Sequence, residues 1–151
     1  TMYRYTRYAD CFDAAAMAAL FTEDCVCDFF AGREPDKVTR DRQGLHDFLA
    51  EAMSQSVSSN HYISNVEIVF ESADAAMFYA YMYSWQRFTG YPQMADCHRY
   101  GRYEMRAVRA GDGWRFSDLV LLSAGEYGGA RIAEQIGRPW PPVFQRVAEP
   151  A

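Results

Sequence analysis

Residues 60–88 read NHYISNVEIVFESADAAMFYAYMYSWQRF. From Asn60 to Phe70 the run is rich in β-branched and aromatic residues and has no helical stripe. The turn Glu71-Ser72-Ala73-Asp74 interrupts, and an aromatic-rich run resumes from Ala75 to Phe88. Two such runs about a short turn read as strands, so this stretch predicts one long hairpin. Beyond a loop around Gly90-Tyr91-Pro92, CHRYGRYEMRAVR, the Gly111-Asp112-Gly113 turn and WRFSDLVLLS predict a second. Working back from residue 60 the period changes. Leu45, Phe48, Leu49, Ala52 and Met53 form a helical stripe, which predicts an amphipathic helix over 43–55. AGREPDKVTRD (31–41) is a loop or short hairpin, and CVCDFF (25–30) a short strand. The first 21 residues read as helix in two pieces: Tyr5, Tyr8 and Phe12 recur at helical spacing, and Asp13 then precedes the helix-forming run AAAMAALF. Helices first and long antiparallel strands afterwards predict an α+β fold, with helices packed on one face of a curved sheet.

At 151 residues the chain has the size of one domain, and no repeat or low-complexity tract divides it. Of its residues 16% are aromatic, with 11 Tyr and 10 Phe, so aromatic burial should dominate the core and line any cavity in it. The formal charge is -5, and the 15 basic residues, all Arg but for Lys37, are scattered. Nucleic acid and anionic membranes are poorly attracted to such a surface. Cys11, Cys25, Cys27 and Cys97 lack paired CxxC spacing, so buried reduced thiols are expected, and His46, His61 and His98 lie too far apart for a metal-ligand spacing. No stretch approaches a membrane span, and the opening TMYRYTRYAD lacks the apolar run of a signal peptide. A cytoplasmic location is the expectation by exclusion. From about residue 125 the pattern weakens: 129–136 suits a short helix, and the prolines of Arg138-Pro-Trp-Pro-Pro predict an extended tail over the pocket or a neighbouring subunit.

Three segments carry a resemblance. Tyr8-Ala-Asp-Cys-Phe-Asp13 followed by AAAMAALFTED, then NHYISN (60–65), then GRYEMRAVRAGDGWRFSD (101–118) resemble the SnoaL-like branch of the nuclear transport factor two-like superfamily, over about residues 3 to 122. The resemblance is strongest to the enzymes that include scytalone dehydratase, bile-acid 7α-dehydratase and hexachlorocyclohexane dehydrochlorinase. It implies a single SnoaL-like domain folded as a cone-shaped α+β barrel, a curved, mostly antiparallel sheet wrapped around the N-terminal helices. It also implies catalysis without a cofactor and assembly as a dimer or trimer. In those relatives a tyrosine of the first helix stands five residues before an aspartate at the helix break, and a histidine opens the first long strand. Tyr8, Asp13 and His61 match these positions. Gln86 stands where scytalone dehydratase has a second pocket histidine, and Leu119 where the dehydrochlorinase has an arginine.

An aspartate that accepts from one imidazole nitrogen leaves the other free as a base and stabilises the imidazolium. Asp13 and His61 are the expected pair, with Tyr8 as donor to a developing oxyanion or leaving group. Asp13 is equally a good helix N-cap, a role that needs no chemistry. On the second long strand Tyr79, Tyr81 and Tyr83 share one face and Phe78, Met82 and Gln86 the other, with Trp85 near the end. Alternation leaves open which face lines the pocket. Phe29, Tyr81, Trp85 and Gln86 are candidate walls. On the next strand Arg99, Gly101, Tyr103 and Met105 share a face, which the resemblance makes the inner one. Gly101 would leave room there for a ligand, and an inward Arg99 would favour a carboxylate or enolate. The expected activity is that of a dehydratase or related isomerase or cyclase on a small hydrophobic, polyketide- or polycyclic-like substrate. The alternative is a non-catalytic binding module with the same cavity.

Overall fold

Backbone geometry breaks the N-terminal helix where the two-piece reading requires. The computed structural model describes residues 1–88, 96–111 and 113–128. Helix α1 spans Met2–Asp10. Phe12 then turns left-handed at φ 58, while its N–H donates to the Ala9 carbonyl at 3.1 Å and that of Asp13 to Tyr8 at 3.0 Å. These two bonds form a Schellman stop, which reverses the chain immediately after Asp10. Helix α2, Ala14–Ala18, begins at once because the Asp13 carboxylate caps it, accepting from the Ala16 N–H at 2.9 Å. The helical reading of residues 19–21 fails: Phe21 already opens strand β1, Phe21–Asp28. The strand expected over 25–30 therefore starts and ends early. Phe29 and Phe30 lie instead in a turn whose amides the Asp28 carboxylate gathers, from Phe30 at 2.8 Å and Gly32 at 2.7 Å.

Helix α3, Arg42–Ser54, is capped by Asp41 and buries Leu45 and Leu49. Strands β2 (Ser56–Phe70), β3 (Ala75–Phe88), β4 (Asp96–Ala110) and β5 (Gly113–Gly128) form the two predicted hairpins, with β2 starting four residues before Asn60. The sheet order is β1-β5-β4-β3-β2. All pairs are antiparallel except β1 with β5, a parallel pairing that local alternation does not announce. The N-terminal helices lie on the inner face of this sheet, as the α+β reading expects. The Gly90-Tyr91-Pro92 loop and the C-terminal segment from residue 129 lie outside the described residues.

Burial assigns the faces. Met2, Tyr5, Thr6 and Ala9, spaced as one stripe of α1, are buried. They face the row of alternate residues Ala76, Ala80, Met82 and Ser84 of β3, and Tyr103, Met105 and Ala107 of β4, all buried. Aromatic edges knit this core. Tyr5 meets Tyr103 at 5.6 Å between ring centroids and 81°, and Phe116 meets Phe21 and Phe78 at 5.5 and 5.7 Å. Such pairs each contribute about 0.5–1.5 kcal/mol beyond area burial. Phe29 stacks on Phe48 at 4.9 Å. The opposite face carries the tyrosines. Tyr62, Tyr81, Tyr100 and Tyr127 are 61%, 42%, 50% and 74% exposed, and with Tyr83 and His98 they make a surface aromatic field.

Candidate functional site

His61 lies on the inner face of β2, and its partner is Asp10. The ring donates from Nδ1 to Asp10 Oδ1 at 2.6 Å, and the His61 backbone N–H donates to Asp10 Oδ2 at 3.0 Å. Ser59, two residues earlier on the same face, donates its hydroxyl to Asp10 Oδ1 at 3.1 Å. An aspartate caught from ring and backbone of one residue has little rotational freedom left. Since the carboxylate only accepts, Nδ1 carries the proton in the neutral ring, and the lone pair is left on Nε2. Nε2 makes no hydrogen bond among the described residues. The pair is sheltered: the His61 side chain is 9% exposed and that of Asp10 24%. Burial by itself would raise the Asp10 pKa. The bonds from the His61 ring and backbone, the imidazole's charge and the Ser59 hydroxyl outweigh it and hold the carboxyl below its ordinary value.

This geometry corrects the expected pairing. Asp13 is exposed and serves as the cap of α2, because the Schellman stop turns it away from the sheet. The missed signal was in the sequence: Tyr5 and Asp10 have the same five-residue spacing as Tyr8 and Asp13. Asp10 ends α1 on the side that packs against β2, so only it reaches His61. Tyr8 is partly buried against the core, with the Arg7 guanidinium 5.4 Å from its ring centre.

On the sheet side Tyr103 is buried, its ring edge-on to Tyr5 at 5.6 Å between centroids. Burial pushes the Tyr103 hydroxyl up to about 12, with Arg99 and Tyr5 pulling down and Asp10 pushing up. It is therefore a neutral donor across the physiological range. Tyr5 is raised well above the ordinary tyrosine value, chiefly by burial.

Cross-strand register locates the remaining expected residues. His61, Ser84, Arg99 and Glu126 are successive partners across β2, β3, β4 and β5, and Ser59, Gln86 and Cys97 form the adjoining row. Gln86 and Arg99 thus share the inner face with His61, and Phe29 is buried beside Phe48. Tyr81 and Trp85 do not belong to this wall. By strict alternation they point to the outer face with Tyr83, Tyr81 being 42% exposed, while Trp85 lies under the Arg87 guanidinium, 5.5 Å from its ring centre. Gly101 is not a gap left for a ligand. A Cβ there would stand 2.4 Å from the Leu122 carbonyl oxygen and 3.1 Å from Ser123 Cα, so the residue is glycine because β5 bulges against β4 at that point. A shallow concavity lined by Asn65, Glu67, Tyr79, Ala80, Tyr81 and Arg102 opens on the outer face and is not part of this site.

His98 lies on the outer face, with Nδ1 2.8 Å from the Tyr83 hydroxyl oxygen, and His46 sits on α3 beside Asp47. Among the described residues no group of three or more His, Cys, Asp or Glu is placed to hold a metal ion, and no helix is long and apolar enough to cross a membrane. Cys25, Cys27 and Cys97 are buried, whereas Cys11 is exposed, contrary to the expectation for all four.

Comparison with known proteins agrees with this architecture. The family profile described as SnoaL-like domain matches residues 1–120. A candidate scytalone dehydratase of Novosphingobium aromaticivorans superposes with a TM-score of 0.76 at 23% identity, covering 85% of this chain and 82% of that one. A candidate aromatic ring hydroxylase of the same organism gives 0.73 at 21%, covering 85% and 87%. The type 3 hexachlorocyclohexane dehydrochlorinase of Novosphingobium barchaimii gives 0.72 at 16%, covering 85% of each chain. No curated protein matches in sequence.

Proposed function

Given that the chain belongs to the SnoaL-like domain family, we propose that it is a cofactor-independent lyase, a dehydratase or a related isomerase or cyclase. Its substrate would be a small hydrophobic molecule with an acidified C–H bond. The observation that carries this reading is the sheltered Asp10–His61 contact, 2.6 Å from Oδ1 to Nδ1, with Nε2 left as the basic atom. His61 removes a proton from carbon next to a carbonyl, and Asp10 stabilises the imidazolium that forms. Tyr103, or Tyr8 from α1, donates to the oxygen on which charge develops. A donor kept neutral in a dry site is well suited to that task. The imidazolium then returns its proton to a leaving hydroxyl, which gives elimination, or to another carbon, which gives isomerisation. Positioned acid–base catalysis of this kind contributes about 10²- to 10⁴-fold.

Solved structures named for eliminating enzymes share this fold at identities of 23% and below, and the reading rests on the dyad of this chain. A second reading, a binding module without turnover, draws on Gln86, an untitratable side chain on the inner face. One assay separates the two. Bicyclic ketones such as 2-tetralone are incubated in D₂O, and loss of the α-proton signals is followed by NMR. An enzyme accelerates exchange, and His61→Gln loses that acceleration by about 10²-fold or more. No acceleration by the wild type on any such ketone or β-hydroxyketone would leave the binding module standing. We also propose self-association through the outer aromatic field, as a dimer or trimer.

A further inference from the structure

Arg99 occupies the cross-sheet row of His61, two strands away, roughly 10 Å at the backbone for strand spacings near 4.8 Å. It is held there by Glu126, whose side chain is only 4% exposed. Arg99 Nε and Nη2 both donate to Glu126 Oε2, at 3.3 and 3.1 Å, and the Cys97 thiol donates to Oε1 at 3.3 Å. Nη1 makes no hydrogen bond among the described residues, and the side chain keeps 25% of its surface open. Arg33, partly buried after the Phe29–Gly32 turn, donates from Nε to the Phe30 carbonyl at 3.0 Å. Its pKa is lowered first by burial and then by the charge of Arg99. Tyr103 lies four residues along β4 from Arg99, and both Arg99 and Asp10 act on its hydroxyl.

We infer that Arg99, braced by Glu126, is an anion subsite, and that the substrate is a hydrophobic oxo- or hydroxy-acid whose carboxylate docks there while its reacting carbon faces His61. The inference rests on the proposed catalytic role of the dyad only for its second half. Charge-assisted bonds to a planar guanidinium in a sheltered wall discriminate strongly between an acid and its ester. Glu126 has two effects: it fixes the guanidinium fork, and its charge competes with the incoming anion. Removing that charge without removing its size should strengthen anion binding, whereas an ion pair that only braces the fold would give no such gain.

The test is calorimetric titration with 2-naphthoate and with methyl 2-naphthoate, two probes alike in ring and unlike in charge. The wild type should bind the acid about tenfold or more tightly than the ester. Arg99→Met should erase the preference, and Glu126→Gln should tighten the acid several-fold while leaving the ester within about twofold. Equal affinities of the wild type for the two probes would overturn the subsite, a comparison that needs no variant to fold. Retention of the preference by Arg99→Met, or weaker acid binding by Glu126→Gln, would overturn it as well. His61→Gln separates this inference from the catalytic one. Loss of proton exchange with the acid preference intact supports both, whereas a preference with no exchange in the wild type sinks only the catalytic reading.

Discussion

Replacing Asp10 and Asp13 separately by asparagine tests the pairing on which the chemistry depends. Asp10 accepts three hydrogen bonds, from the His61 ring, the His61 N–H and the Ser59 hydroxyl. Bonds to a charged acceptor contribute roughly 1.5–3 kcal/mol each when isolated. Asparagine is the same size and keeps one oxygen, enough for the backbone N–H. Its amide group, however, now meets Nδ1 with hydrogens, so the imidazole must take the other tautomer and lose Nε2 as a base. The net cost expected for Asp10→Asn is about 2–3 kcal/mol of stability, together with a loss of about 10²- to 10⁴-fold in exchange rate. Asp13→Asn should do neither. Asparagine caps a helix as well as aspartate, so its stability should stay within about 0.5 kcal/mol and its activity within a few-fold. Urea unfolding at pH 7 and α-proton exchange on the same preparations give both numbers.

The acid limb supplies a further check with a fixed sign. The Asp10 pKa is depressed in the folded state, so its contribution is complete above the unfolded carboxyl value, about 3.9, and is lost as pH falls through the folded value. The gap between wild type and Asp10→Asn should therefore close below about pH 4. Equal losses of rate in the two variants, or an Asp10→Asn protein as stable as the wild type at pH 7, would refute the assignment.

Gly101→Ala should cost about 2–4 kcal/mol in urea unfolding, because its Cβ would lie 2.4 Å from a backbone oxygen; a neutral effect would mean that β5 shifts freely at the bulge. Alkaline unfolding should be steep. The phenols of Tyr103, at about 12, and Tyr5, raised well above the ordinary value, titrate above the unfolded value of about 10, so their contribution is whole below pH 10. Above it, stability falls by about 1.4 kcal/mol per pH unit for each phenol until its folded value is reached. Urea midpoints between pH 9 and 11.5 measure this, and Tyr103→Phe should make the decline shallower. If the outer aromatic field joins copies of this chain, sedimentation should give a dimer or trimer that Tyr100→Glu dissociates; a wild type monomeric at high concentration would exclude that role.

The elements that local chemistry governs could be read directly. Two β-branched and aromatic runs about the turn at 71–74 require a hairpin, the Leu45–Phe48–Leu49 stripe requires an amphipathic helix, and an Asp before AAAMAAL makes a cap, because each depends only on neighbours along the chain. From these the α+β class followed, and so did the placement of His61 on a strand at the end of the helical half. The rest needed the assembled protein. Which face of β3 is inner depends on the side the helices cover, so the tyrosines could be misplaced by one residue of parity. The partner of His61 depends on where α1 stops: Asp10 and Asp13 have the same spacing from a tyrosine, and only the left-handed turn at Phe12 sends one to the sheet and the other to α2. The parallel pairing of β1 with β5, the crowding that requires Gly101 and the meeting of Arg99 with Glu126 all join residues distant in sequence. Local periodicity carries the direction of a side chain, but a contact between distant elements is set by the packing of the whole, where burial free energy is gained.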